Sequence, residues 1–567
     1  MDSLPQSHGK DVLPADLFHV VFAQLAASAQ ASENQEVAKA DFAALCNCIY
    51  SSKYLASAGA LSSLYRCVLG TSPVKDGGSE NLSFAEQHIM VMKWSILWRS
   101  IILSALGKTL YPYCRHLRDL DLRDLGNLLG ELDESRDKAK VAKQFFSGDL
   151  AQFHFVSDAP GKGRVAKLSI KKIIQAVGNE ITQRAPLLEE LSEPTTSDLL
   201  SSALPAWASR LTHLRSLDIW DGKLLADETI RNLLHVYCPQ LNHLKLYLST
   251  VHDSDHHLAS FINGMPENKL TRFENISSCN ISLETCLAFN HHSKSLVNLK
   301  LFLSDEGILA LGALQGCTML ETLDIGCYGS TMDLKDTQND AYLEITQWLK
   351  NCDHLKAISF QNVISAPDLV LPVLLNPKVK LRALQINATE SAMYVVKDHH
   401  DFHQALAKQT SLEDLMLRAD PEPMTRDDLE ILMNTFCSLQ NLQEINLFRI
   451  ADYFTNEHIE LLGSRLTNLD TFYVGGYGIS DRVLDSFVHS SRLKTLTFAG
   501  ISSFTVDGIL DFIGKLGSSN QGLLLSVDNA EPETMISEEG QNLIREAMAT
   551  KLDGRFEYQP LRGKFPT

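Results

Sequence analysis

From residue 117 onward one short phrase, Leu-x-x-Leu-x-Leu with other aliphatics or Phe tolerated, returns fourteen times, as in LRDLDL, LRSLDI, LNHLKL, LVNLKL, LETLDI, LKAISF, LRALQI, LEDLML, LQEINL and LKTLTF. A phrase that alternates apolar and polar residues is a half-buried strand. A strand that recurs at one period cannot share one closed core with all its copies. Each copy can bury its apolar side only against its neighbours, so the period requires an open stack.

The first leucines fall at Leu117, Leu150, Leu188, Leu214, Leu241, Leu270, Leu296, Leu320, Leu355, Leu381, Leu412, Leu442, Leu469 and Leu493, at intervals of 24 to 38 residues with a mean of about 29. That is the long end of the leucine-rich-repeat range, where a helix returns the chain from one strand to the next. The intervening segments agree. ADETIRNLLHVYCPQ places Ile230, Leu233, Leu234 and Tyr237 at helical spacing behind an Asp227 cap, and TRDDLEILMNTFCS repeats the pattern with Leu429, Leu432, Met433 and Phe436. The expected fold is an α/β leucine-rich-repeat solenoid, a horseshoe with a parallel concave sheet and outer helices, over 111–530. After the last clear repeat GLLLSV is expected to add a strand, and a C-terminal cap is expected over 531–567, in which a helix turns Leu543, Ile544, Ala547 and Leu552 inward.

Side chains alternate across a strand, so the leucines point into the stack and the third, fifth and seventh positions of each copy point outward. The seventh position carries Trp220, Tyr247, Phe302, Gln361, Asn387, Arg418 and Phe448; the fifth carries Asp218, Lys245, Lys300, Asp324, Gln385, Met416, Asn446 and Tyr473. Aromatics with Arg and Met are the residue types that anchor interfaces. Two target-binding patches are expected, one of Trp220, Lys245, Tyr247, Lys300 and Phe302, the other of Met416, Arg418, Phe448 and Tyr473. The two lysines favour the first patch for an acidic or phosphorylated target segment. The alternative is that these aromatics only cover the sheet.

A net charge of −18 with no dominant basic block argues against a nucleic-acid partner. Of eleven cysteines, Cys114, Cys238, Cys317 and Cys352 each stand three residues before a first leucine, a packing phase for a small apolar thiol. The most apolar run, VMKWSILWRSIILSALG, contains Lys93 and Arg99, so burial against the first repeats is expected instead of a membrane span. The N-terminal residues lack a secretory apolar region, and cytoplasmic or nuclear residence is expected. No catalytic residue, cofactor or metal is expected. His399 and His403 are four apart and could share a helix face, but the HDSDHH and HHDFH clusters read as surface histidines without supporting carboxylates.

A second module precedes the repeats. LPADLFHVVFAQL places Leu17, Val20, Val21 and Leu25 on one side of a helix flanked by Phe18 and Phe22. A second apolar-periodic segment, DFAALCNCIYSSKYLASAGALSSLYR, can close a small helical unit through Phe42, Leu45, Ile49, Leu55, Leu61 and Leu64. A helix of thirteen residues is not stable alone, so the first segment must dock on something. One reading is that it caps the open end of the repeats.

These residues resemble a family. Leu13-Pro14-x-Asp16-Leu17-Phe18-x-x-Val21-Phe22-x-x-Leu25 looks like the first helix of an F-box, with Asp16 where the motif usually carries Glu; the SSLYR ending and the CPQLNHLKL repeat are similar to fungal-type F-box leucine-rich-repeat proteins. The segment Ala26 to Ala40 departs from the family as an insert. The resemblance implies an F-box-like domain over 11–70, a linker and cap helix over 71–110, and the role of substrate receptor in an SCF-type ubiquitin ligase. In that role Leu13, Pro14, Leu17, Val21 and Leu25 would meet a Skp-type adaptor and through it a cullin scaffold, while the repeats hold a protein target. The other reading is a non-catalytic interaction scaffold outside any cullin ligase.

Overall fold

The computed structural model describes residues 15–31, 35–66, 84–134, 139–157, 167–195, 198–277 and 279–561. Leu13 and Pro14, and the linker before Phe84, lie outside them. The chain divides into two compact units, Met1–Val251 and His252–Thr567.

The first unit begins with two helices, α1 (Ala15–Ala31) and α2 (Gln35–Ser51). Residues 26–31 and 35–40 of the expected insert are absorbed into them. Phe22, Ala26, Leu45 and Ala60 form a small core, and Phe18, Leu25, Phe42, Ile49, Leu55 and Leu64 pack around it. This module is tied to the rest of its unit where Tyr65 stacks on Tyr113 at 4.4 Å and the Arg118 N–H donates to the Arg66 carbonyl at 2.9 Å.

Helix α3 (Phe84–Ala105) buries Trp98, Ile101 and Ile102, as expected of a helix packed on the repeats. The Nε1–H groups of Trp94 and Trp98 both donate to Oδ2 of Asp124, at 2.6 and 2.7 Å. Among the described residues no helix is long and apolar enough to cross a membrane.

Thirteen of the fourteen phrases start a strand two residues after their first leucine. In the first unit these are β1 (Asp119–Asp121), β2 (Glu190–Ser192), β3 (Ser216–Asp221) and β4 (His243–Leu248), paired in parallel in that order. In the second they are β5 (Arg272–Asn275), β6 (Asn298–Leu303), β7 (Thr322–Cys327), β8 (Ala357–Gln361), β9 (Ala383–Asn387), β10 (Asp414–Leu417), β11 (Glu444–Leu447), β12 (Thr471–Val474) and β14 (Thr495–Phe498), again parallel. Two short strands, β13 (Tyr477–Ile479) and β15 (Ile501–Ser502), pair beside them. A parallel strand cannot follow its neighbour through a tight turn, so each is returned by a helical crossover. Fully burying each leucine is worth ~1.5–3 kcal/mol, and the motif leucines are buried throughout. Each unit is therefore a leucine-rich-repeat stack.

Four expectations need correction. Leu150 starts no strand; it lies in a 3-10 turn, Gly148–Phe153, with its side chain buried. The parallel register does not stop at Ala530, because β16 (Leu524–Ala530) pairs with β17 (Arg555–Pro560) beyond the C-terminal helix Glu538–Leu552. In that helix Ile544, Met548 and Leu552 point inward and Leu543 is exposed. Tyr237 is likewise exposed, since only Ile230 and Leu234 of its helix reach the core.

The four phased cysteines are buried. Burial pushes the thiols of Cys238, Cys317 and Cys352 up to about 12, which removes the thiolate that reactivity needs. Polar groups join successive repeats. Asp221 accepts from the Thr250 N–H and hydroxyl at 3.1 and 2.7 Å, and Asp255 accepts from the Ser282 and Thr285 N–H groups at 2.8 and 3.1 Å. Helix starts have unpaired N–H groups, and Asp255 from the preceding repeat satisfies those at the start of the helix Leu283–Phe289.

Gly500 sits against the backbone of Gly476, where an added Cβ would overlap the Gly476 carbonyl and amide. Gly500→Ala is expected to destabilise the second unit by about 1–3 kcal/mol through overpacking, seen as a lower urea midpoint; an unchanged midpoint would contradict this close approach.

Candidate functional site

Two kinds of surface can hold a partner. The first is α1. Its buried side is Phe22 and Ala26, with Phe18 and Leu25 half-buried beside them, so its other side is left with Leu17, Val20 and Val21 at 50, 65 and 51% exposure. Helical geometry puts these three on one stripe. Leu25, expected on that stripe, turns into the module's own core.

The second is the strand face turned away from the helices. In β6, Leu299, Leu301 and Leu303 are buried while Lys300 and Phe302 are half-exposed, which is the alternation the motif requires. All nine expected target-binding residues lie half-buried on this face of their own unit.

In the first unit Trp220 stacks on Tyr247 with centroids 5.1 Å apart, and Lys245 lies 5.3 Å from the Tyr247 ring centre. Arg123 covers the same ring at 4.9 Å, donates to the Tyr247 hydroxyl and pairs with Asp218 at 3.1 Å. Burial opposes the Arg123 charge, yet Asp121, Tyr247 and Asp218 hold its pKa above the ordinary arginine value. Sequence reasoning missed Arg123, although it occupies the seventh position of the copy that begins at Leu117. Beneath Trp220 lies Glu193, which accepts from the Trp220 and Leu200 N–H groups at 3.0 and 3.1 Å; burial pushes its pKa up to about 7. The signal for Glu193 was a carboxylate at a sixth position, where the motif asks for leucine.

In the second unit Phe302 lies over Gly326 and 5.6 Å from Tyr328. Lys300 is not a free cation: its Nζ is 2.5 Å from Asp324 Oδ2, and Arg272 pairs with Glu274 beside it. A lysine already neutralised by a neighbour attracts an anionic target weakly, so Lys300 no longer recommends the first patch for an acidic or phosphorylated segment.

The second patch is arranged differently. The Arg418 guanidinium lies 4.5 Å over the Phe448 ring, and Phe448 meets Tyr473 at 6.0 Å. Met416, Asn446 and Tyr473 are side by side in register on β10, β11 and β12. Burial raises the Tyr473 pKa, Asp528 adds to the rise and Arg418 opposes it.

The histidines also differ from expectation. His399 stands just before its helix and bonds Asp368 at 3.1 Å, His400 bonds Asp428, and His403 is fully buried in the helix His400–Leu406. Two therefore have carboxylate partners and one belongs to the core, because the helix faces neighbours on both sides. Among the described residues no group of three or more His, Cys, Asp or Glu side chains could hold a metal ion.

No family model matches the chain, and no curated protein matches it. Among solved structures it is similar to a chain in the crystal structure of the Rad7 and Elc1 complex in yeast, at 13% identity over 81% of this chain and 94% of that one, with a TM-score of 0.38. It is also similar to a chain of the TLR13–ssRNA13 complex, at 14% identity over 67% of this chain and 65% of that one, with a TM-score of 0.25.

Proposed function

We propose that this chain is the substrate-recognition subunit of an SCF-type ubiquitin ligase, acting without catalytic residues of its own in the cytoplasm or nucleus. In this reading the α1–α2 module docks a Skp-type adaptor, which leads to a cullin scaffold, and the open strand face holds a protein target. The observation that carries it is the exposed apolar stripe of Leu17, Val20 and Val21 on a helix whose opposite side already has a core. Large apolar side chains left in water each represent ~1.5–3 kcal/mol that a partner recovers on burial.

A second reading has one observation in its favour. The Tyr65–Tyr113 stack and the Arg118–Arg66 bond fasten the module to the repeats of its own unit, as a cap would be fastened. A scaffold of this kind would never meet a cullin.

Co-purification with a Skp-type adaptor separates the two. The chain is expected to capture the adaptor, and Leu17→Asp with Val21→Asp is expected to abolish capture while the melting curve stays unchanged, because both positions are exposed. Failure of the unaltered chain to capture any such adaptor would favour the scaffold. Capture that survives both substitutions would remove the docking helix from α1.

A further inference from the structure

We infer that the surface around Arg418 recognises the carboxylate of a glutamate or aspartate side chain flanked by apolar residues in the target segment; this deepens the proposal that the strand face holds a target and rests on it. The outward fifth positions from β9 to β14 carry Gln385, Met416, Asn446, Tyr473 and Thr497, and the seventh carry Asn387, Arg418, Phe448, Gly475 and Ala499. Arg418 is the one charged side chain in these ten places. The outward third positions of the same strands add only the anions Asp414 and Glu444, so Arg418 is the one cation among the outward positions from β9 to β14.

The guanidinium is held and partly dried without being neutralised. It lies on the Phe448 face at 4.5 Å, and its Nε is buried with no hydrogen-bond partner among the described residues. No ion pair engages it among the described residues, whereas Lys300 and Arg272 on the strands nearer the start of the same unit each have a carboxylate. A desolvated, unpaired donor raises the free energy of the unbound protein, and a ligand that supplies the acceptor recovers it. A planar guanidinium matches a carboxylate through two parallel N–H···O bonds. Met416, Phe448 and Tyr473 offer apolar contact on either side.

A carboxylate fits this site better than a phosphoryl group. A dianion needs a second cation, and Arg449, next to Phe448 in the chain, is turned to Asp452 at 3.6 Å. Asp528 lies close enough to Tyr473 to raise its pKa, and a dianion would meet that repulsion in full.

The full chain should be tested against fluorescein-labelled, end-capped heptapeptides with Glu, Gln or phosphoserine between Leu and Phe, and against a Gln peptide left with a free C-terminal carboxylate. Fluorescence anisotropy is expected to show the capped Glu peptide binding at least tenfold more tightly than the Gln peptide. Arg418→Gln should erase that difference, Phe448→Leu should shrink it severalfold, and Lys515→Gln, at the end of the helix Val506–Lys515, should leave it intact. Equal binding of Glu and Gln peptides would overturn the inference, as would a Glu preference that persists in folded Arg418→Gln protein, judged by an unchanged melting curve. Tighter phosphoserine binding would overturn the choice of carboxylate, and equal gain from the free C-terminus would overturn the choice of side chain. No adaptor enters this assay, so loss of adaptor capture with Glu-peptide binding retained would sink the ligase reading and leave this site standing.

Discussion

Acidification from pH 7 to pH 3.5 is expected to remove about 4 kcal/mol of stability from the second unit through His403 alone, at ~1.36 kcal/mol per pKa unit. The imidazole is fully buried, and burial pulls its pKa from 6.5 down to about 3; His399 and His400 add to the fall and Asp428 opposes it. Because the folded-state pKa lies below the unfolded one, the stabilisation is complete above about 6.5 and is lost as pH falls toward 3. Neither ring nitrogen has a hydrogen-bond partner among the described residues, so nothing nearby rewards protonation. The ring packs among Tyr394 and Phe402. The surrounding charges lie outside this apolar contact: His399 and Lys335 are bound to Asp368, and His400 to Asp428. Urea unfolding across this pH range should show the slope, and His403→Phe should flatten it while holding or raising the midpoint at pH 7. An acid slope that is the same in His403→Phe would place the lost protons elsewhere.

Asp124→Leu should be nearly as damaging in the first unit. One carboxylate oxygen accepts both the Trp94 and the Trp98 indole N–H, at 2.6 and 2.7 Å, in a site where all three side chains are buried. Removing the acceptor orphans two donors, each at about 1–3 kcal/mol, so a loss of about 2–6 kcal/mol is expected. Indole fluorescence and near-ultraviolet circular dichroism should report a lower urea midpoint. Ile89→Ala on the exposed side of the same helix should stay within about 0.5 kcal/mol. Equal effects from the two would show that α3 is not held by this carboxylate.

Most of the stack was legible because a period is a redundant signal. Thirteen of fourteen phrases became strands, and the failure at Leu150 stands before the longest interval, the 38 residues to Leu188. The two faces of each strand were equally legible, since alternation follows from backbone geometry alone. Side-chain partnerships were not. Lys300 and Asp324 are both outward fifth positions of successive copies, and only the parallel register places them together. Arg123 reaches Tyr247 across 124 residues, a separation that no local pattern encodes. The histidines of HHDFH looked alike in sequence and diverged in the fold: two meet carboxylates and one is sealed in the core.

Two residues on α1 make the general point. Phe22 and Val21 are adjacent and similarly apolar, and periodicity placed both on or beside one stripe. Packing against Leu45 and Ala60 took Phe22 and left Val21 in water. The amino-acid order alone dictated a repeating strand-and-helix unit, because hydrophobic spacing and backbone geometry act over a few residues. Which cations are neutralised, which apolar faces stay open and which titratable groups are dried were decided only when distant segments met, because charge pairing and desolvation depend on neighbours in space.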